Sequence, residues 1–245
     1  MNFLKRISLF SICITVFITA VSFVIPVKSK LSIRFTNYAG NTILNLDSSY
    51  KNQLRQPFSM NNIKYYISNI VLKKKNGSKY PINEYYLINE LEEASKQINL
   101  NDIPEGEYTS IEFIIGVDSL HNCSGIQSGA LDPVNGMFWA WNTGYIFLKF
   151  DGTSPLSQSP GNTLEFHIGG YRSPNNCIRK ITLNFKSPLL INAAITQAIN
   201  IKADILQLFK SPTPVDFSKL SSVTDFHNAT SIANNYTSMF SLIEK

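Results

Sequence analysis

Two tryptophans, two histidines and two cysteines carry the chemistry that this chain can do. Trp139 and Trp141 stand one residue apart in Gly136-Met137-Phe138-Trp139-Ala140-Trp141-Asn142-Thr143-Gly144-Tyr145, and they are the two tryptophans of the sequence. His167 follows in His167-Ile168-Gly169-Gly170, and His121 stands two residues before Cys123. Along an extended segment alternate side chains share a face, so both indoles would point the same way. Imidazole is the commonest protein ligand for copper and zinc. His167 and His121 are therefore metal-ligand candidates, with Trp139 and Trp141 beside them. The competing reading of His167 is a core or turn histidine ahead of Gly169-Gly170, and that of the indoles is plain packing. The third histidine, His227, reads as a surface residue.

Cys123 and Cys177 are the cysteines left once Cys13, in the N-terminal segment, is set aside. An even pair in an exported chain is expected to be a disulfide. The alternative is two thiolates on a soft metal such as Cu(I). A bridge would hold His121 nearer to His167. Asp118 and Asp132 flank the segment 119–131 and can either bind a hard cation, calcium being the second cofactor candidate after copper, or cap turns through their own backbone.

Other chemistries are missing. The sequence has no GxSxG, no HExxH and no phosphate-binding glycine loop, so an enzyme is not expected. Lys5 and Arg6 precede an apolar stretch from Leu9 to Val27, which reads as an export signal over residues 1–29, with an uncleaved anchor as the alternative. The protein is then periplasmic or secreted, and no later stretch is apolar and long enough to span a membrane. The formal charge of the whole chain is +5. Residues 1–29 hold Lys5, Arg6 and Lys28 and no acid, which leaves 19 of the 22 basic residues against 17 acidic ones. That balance excludes a nucleic-acid footprint.

The elements that must position these residues alternate with period two. Leu31, Ile33 and Phe35 form one such set, Ile111, Phe113 and Ile115 a second, and Ile181, Leu183 and Phe185 a third. Residues 64–72 are rich in tyrosine and isoleucine, which suit a half-buried pleated surface. Asn76-Gly77 signals a two-residue hairpin, Pro104-Glu105-Gly106 a second turn, and Asp151-Gly152 the end of a strand over 145–150. The pattern predicts one all-β domain over residues 30–245, an antiparallel β-sandwich with a short C-terminal helical segment. A short helix is expected over 89–96, and a closing helix over 231–242 that places Ile232, Tyr236, Met239 and Ile243 on one face.

The same residues resemble a known family. Lys64-Tyr65-Tyr66-Ile67-Ser68-Asn69-Ile70, Gly116-Val117-Asp118-Ser119, Gly129-Ala130-Leu131-Asp132-Pro133, Gly136-Met137-Phe138-Trp139-Ala140-Trp141, Gly144-Tyr145-Ile146-Phe147 and His167-Ile168-Gly169-Gly170 fall in one order over about 110 residues. The set is similar to MbnP-like proteins, exported copper-binding partners associated with methanobactin operons, and to their wider relatives. The resemblance implies an exported β-sandwich that binds copper through histidines and a tryptophan oxidised to kynurenine, with a MauG-like dihaem oxidase as partner. Carried onto this chain, it implies Trp139 or Trp141 as the oxidisable position and His167 as a ligand, with His121 a second candidate. Relatives can carry a histidine two residues after the modified tryptophan; after Trp139 that position is Trp141. The function expected is copper sequestration or handover. The rival is a surface binding module on which Trp139, Trp141 and Tyr145 form an aromatic platform for carbohydrate or another ligand.

Overall fold

The structure is a computed structural model that describes residues 28–139 and 144–243. The export signal read over residues 1–29 lies, but for Lys28 and Ser29, outside the described residues, and so does Trp141. In chain order the strands are β1 Lys28–Ala39, β2 Thr42–Ile43, β3 Ser49–Lys51, β4 Pro57–Lys74, β5 Lys79–Asn89, β6 Gln97–Pro104 and β7 Gly106–Ile115. They continue as β8 Phe138–Trp139, β9 Gly144–Thr153, β10 Thr163–Gly169, β11 Arg179–Ile191, β12 Gln197–Asp204, β13 Ser222–Val223 and β14 Phe240–Leu242. Two α-helices join them, α1 Ser119–Cys123 and α2 Ala229–Tyr236.

These strands make an all-β sandwich of two sheets. The smaller runs β14-β12-β1-β2 with β6 also on β1, and the larger runs β11-β7-β4-β9-β10-β13 with β3 and β5 on β4 and β8 on β9. Most pairs are antiparallel, as expected; β1–β12 and β10–β13 are parallel. The alternation seen in the sequence is the burial pattern of β1, where Leu31, Ile33 and Phe35 are all core residues. Phe35 crosses to the other sheet and meets Phe113 edge-on at 5.6 Å, with Tyr65 and Phe240 around it. At the other end of the core, Phe209 sits among Phe58, Phe150, Phe166 and Phe217, with ring centroids 5.0 to 5.5 Å away. Edge-to-face rings at these separations add to their burial.

Three local expectations are corrected. Residues 89–96 do not make an α-helix. Asn89 ends β5, its side chain accepts from the Leu91 amide, and a single 3₁₀ turn follows over Glu93–Lys96. The tail is helical only to Tyr236. Phe240 then enters the core and β14 adds to the open edge of β12, where the backbone groups gain partners that a longer helix would leave unmade. The strand expected to stop at Asp151-Gly152 runs on to Thr153, because the glycine lets the chain pass the Ser59 carbonyl, which would lie 2.2 Å from a Cβ.

One feature of the large sheet prepares the functional end. The 18-residue β4 keeps β9 on one edge as far as Tyr65 and takes up β7 on that same edge from Ile67. The two neighbours diverge at Gly116, whose φ is +124° and whose absent side chain leaves room for the Phe147 ring. The chain between β7 and β8 covers this split.

Candidate functional site

That covering segment is pinned by buried polar bonds. Asn122, 4 % exposed, donates to the Val117 carbonyl at 2.5 Å and accepts from the Tyr145 amide at 2.9 Å. The Tyr145 hydroxyl donates to the Leu131 carbonyl, and the Tyr66 hydroxyl to the Ala130 carbonyl, at 2.8 and 2.9 Å. Asp118 caps α1 by accepting from the His121 amide, and Asp132 accepts from the Val134 amide at 2.9 Å. Both aspartates thus do the turn-capping work weighed for them in the sequence.

His121 meets Asp118 and Tyr85. Its Nδ1 lies 2.7 Å from the Tyr85 hydroxyl and 3.1 Å from each carboxylate oxygen of Asp118. Tyr85 also donates to Asp118 Oδ2. Tyr85 is a member that sequence reasoning missed. It stands opposite Ser68 on β5, far from Asp118 along the chain, and no spacing rule joins it to α1. Burial, then the bond to Asp118, raises its phenol well above the ordinary value.

His167 has a separate surrounding. It lies on β10 opposite Lys149 of β9, and its Nε2 is 2.6 Å from Asp151 Oδ1. The second oxygen of Asp151 accepts from Asn62 on β4 at 2.9 Å. A carboxylate held to one imidazole nitrogen fixes the tautomer and leaves the other nitrogen as the lone-pair donor, the arrangement found behind metal-ligating histidines. Trp139 reaches the same strand. Its ring packs over Gly169, two residues from His167, and edge-on to Phe226 at 5.8 Å. His121 and His167 therefore belong to two clusters. Among the described residues no group of three or more His, Cys, Asp and Glu side chains is placed to hold a metal. His227 is exposed, as expected.

The aromatic platform loses two of its members. Trp139 is 5 % and Tyr145 1 % exposed, so neither presents a ring to a ligand in solvent. Trp141 lies outside the described residues.

The expected disulfide is also corrected. Cys123 and Cys177 are separate thiols. Cys123 is on the surface, its sulfur 3.3 Å from the Tyr171 hydroxyl and accepting from Arg172 Nη2 at 3.5 Å. Cys177 is fully buried, its thiol aimed at the Asn175 carbonyl, and the Tyr236 hydroxyl donates to its backbone carbonyl. One sulfur faces solvent and the other the core, so the side-chain directions that a bridge requires are absent.

Asp118 and Asp151 give the clusters a pH signature. Burial alone would raise both carboxyls, but hydrogen bonds from Tyr85 and His121 to Asp118, and from His167 and Asn62 to Asp151, outweigh it and hold both below the usual range. A carboxylate whose folded pKa is depressed contributes stability above its unfolded value of about 3.9, and that stability is lost as pH falls through the folded value. The melting temperature should fall between pH 5 and pH 3, and Asp151→Asn should flatten the fall. An equally steep fall in the variant would exclude the His167–Asp151 pair as its source.

An all-β sandwich whose loop-capped end carries two carboxylate-held histidines and a buried indole defines the class. The MbnP family model matches residues 28–229, and the chain belongs to that family. No curated protein matches the chain. Among solved structures it is similar to MbnP from Methylosinus trichosporium, with a TM-score of 0.55 and 16 % identity over 80 % of this chain and 83 % of that one. At that identity the likeness shows the fold alone.

Proposed function

We propose that this protein is an exported, methanobactin-associated copper-binding protein that sequesters the ion or hands it on, without turnover of its own. Its place is the periplasm or the exterior. Among the described residues no helix is apolar and long enough to cross a membrane. The observation that carries the reading is His167, inside a chain of the MbnP family, with one nitrogen held by Asp151 and Trp139 packed on its strand. The donors fit the ion. Imidazole suits copper, and copper heads the affinity order for nitrogen sites among the common divalent ions. His167 would hold it, with oxidised Trp139 or Trp141 as the further ligand. Copper when bound is cargo, and the residues named do nothing but select and retain it. A MauG-like dihaem oxidase is the partner proposed for the tryptophan oxidation.

Titration with copper in competition with a chelator tests this. Wild type should bind, and His167→Ala should lose about tenfold in affinity or more, the scale on which metal-shell changes act. Unchanged affinity in His167→Ala would remove His167 from the site. Intact mass of protein produced with and without the dihaem partner would show whether tryptophan is converted.

A further inference from the structure

We infer that Tyr85, Asp118 and His121 form a nitrogen–oxygen site for Cu(II) that operates without His167 or Trp139. It goes beyond the reading above by adding a second donor set, on other elements and of another chemical character.

Three donor atoms converge from two elements, β5 and the start of α1. His121 Nδ1 is 2.7 Å from Tyr85 Oη and 3.1 Å from both carboxylate oxygens of Asp118, and Tyr85 Oη is against Asp118 Oδ2. Metal–nitrogen and metal–oxygen bonds of about 2.0–2.2 Å at right angles put neighbouring donors about 2.8–3.1 Å apart. The imidazole nitrogen already stands at that spacing from its oxygen neighbours. A cation held by the triangle replaces hydrogen bonds with coordinate bonds, and Tyr85 Oη and Asp118 Oδ2 move apart to the same spacing. The third donor is a phenol, which is why no cluster appears when His, Cys, Asp and Glu alone are considered.

The frame is pre-set and open on one side. Tyr85 is fixed by the β4–β5 ladder opposite Ser68. Asp118 and His121 are fixed by the cap between them and by Asn122, which ties α1 to β9. The Asp118 and His121 side chains keep 31 % and 35 % exposure, enough for a hydrated ion to arrive and to retain water as its remaining ligands. Held donors with solvent on one face are what a small site needs.

The donor chemistry selects the ion. One imidazole, one phenolate and one carboxylate make a mixed nitrogen–oxygen set without sulfur, which suits Cu(II) and not the soft Cu(I). Calcium takes six to eight oxygens, and this triad supplies two oxygen-bearing side chains. On binding, the Tyr85 O–H bond breaks, the oxygen lone pair forms the bond to Cu(II), and the proton leaves to solvent. Nothing is oxidised or reduced.

The test is titration of the full-length exported protein with Cu(II) alone, followed by visible absorption and electron paramagnetic resonance, with Cu(I) titrated separately. Wild type should show a phenolate-to-Cu(II) charge-transfer band. Tyr85→Phe, a near-isosteric change, should abolish the band. Asp118→Asn keeps a good helix cap and should lower Cu(II) affinity about tenfold or more. His121→Ala should do the same, and the band should remain in His167→Ala. A band that survives Tyr85→Phe, or one lost in His167→Ala, would overturn the proposal. The reading of the previous section fails by a different result, unchanged copper affinity of His167→Ala in the chelator competition, while this one is read in the Tyr85 band.

Discussion

Gly169→Ala should lower stability by about 3 kcal/mol and displace Trp139. A Cβ at Gly169 would stand 2.5 Å from the Tyr145 carbonyl oxygen and 2.6 Å from the Trp139 ring. The first obstacle is backbone of the adjacent strand β9 and cannot rotate away. The second is a ring already wedged against Phe226. Overpacking of this kind costs about 1–3 kcal/mol, and more when backbone must move. For a chain of this size that is a fall of about 6–12 °C in the melting midpoint, with a change in tryptophan emission as the indole shifts. Gly125→Ala is the control. Its φ is +76°, but nothing lies within 4 Å of its Cβ, so only the left-handed backbone is penalised, at about 1 kcal/mol. Equal midpoints for the two variants would show that the Gly169 contact is slack. The prediction also bears on function, since the same glycine lets the indole approach the strand of His167.

The fold was legible where a local rule sufficed. Leu31, Ile33 and Phe35 alternate because one face of β1 is buried, and Asn76-Gly77 and Pro104-Glu105-Gly106 turn where their backbones are suited to it. Residues 89–96 and the tail depart from their local pattern for one shared reason. Both have the composition of short helices, but a neighbouring strand edge and a gap in the core decide the outcome, and neither is a local property. The candidate site is legible in its histidines, which are few and chemically distinctive, and in the order of the glycine and tryptophan motifs. Its other half was not. Tyr85 reaches His121, and Asp151 reaches His167, only through strand register, and a one-residue slip would turn either side chain to the opposite face. That Trp139 packs on Gly169 depends on β8 lying against β9, a pairing two residues long.

Cys123 should react with a thiol reagent about a thousandfold faster than Cys177 in the native protein. The Tyr171 hydroxyl bonded to its sulfur, with the Arg172 guanidinium close by, lowers the Cys123 thiol below its ordinary value. It is also on the surface. Burial pushes the Cys177 thiol up to about 12, with only partial relief from Arg179. Only the thiolate attacks. At pH 8 a thiol with a pKa of about 12 is ionised to about one part in ten thousand, against about one part in ten for an unperturbed one near 9. A thiolate of higher pKa is the stronger nucleophile, and that gain is offset because the reagent must also reach a sulfur held beneath α2, where Tyr236 bonds to the Cys177 carbonyl. Labelling followed by peptide mapping should find modification at Cys123 alone, and at both cysteines after denaturation without reductant. Protection of both until reductant is added would mean that the exported protein is bridged and that Cys177 turns outward to meet its partner. Modification of both at equal rates in the native state would mean that the packing of α2 over Cys177 opens readily, and the high pKa of that thiol would then have no structural basis.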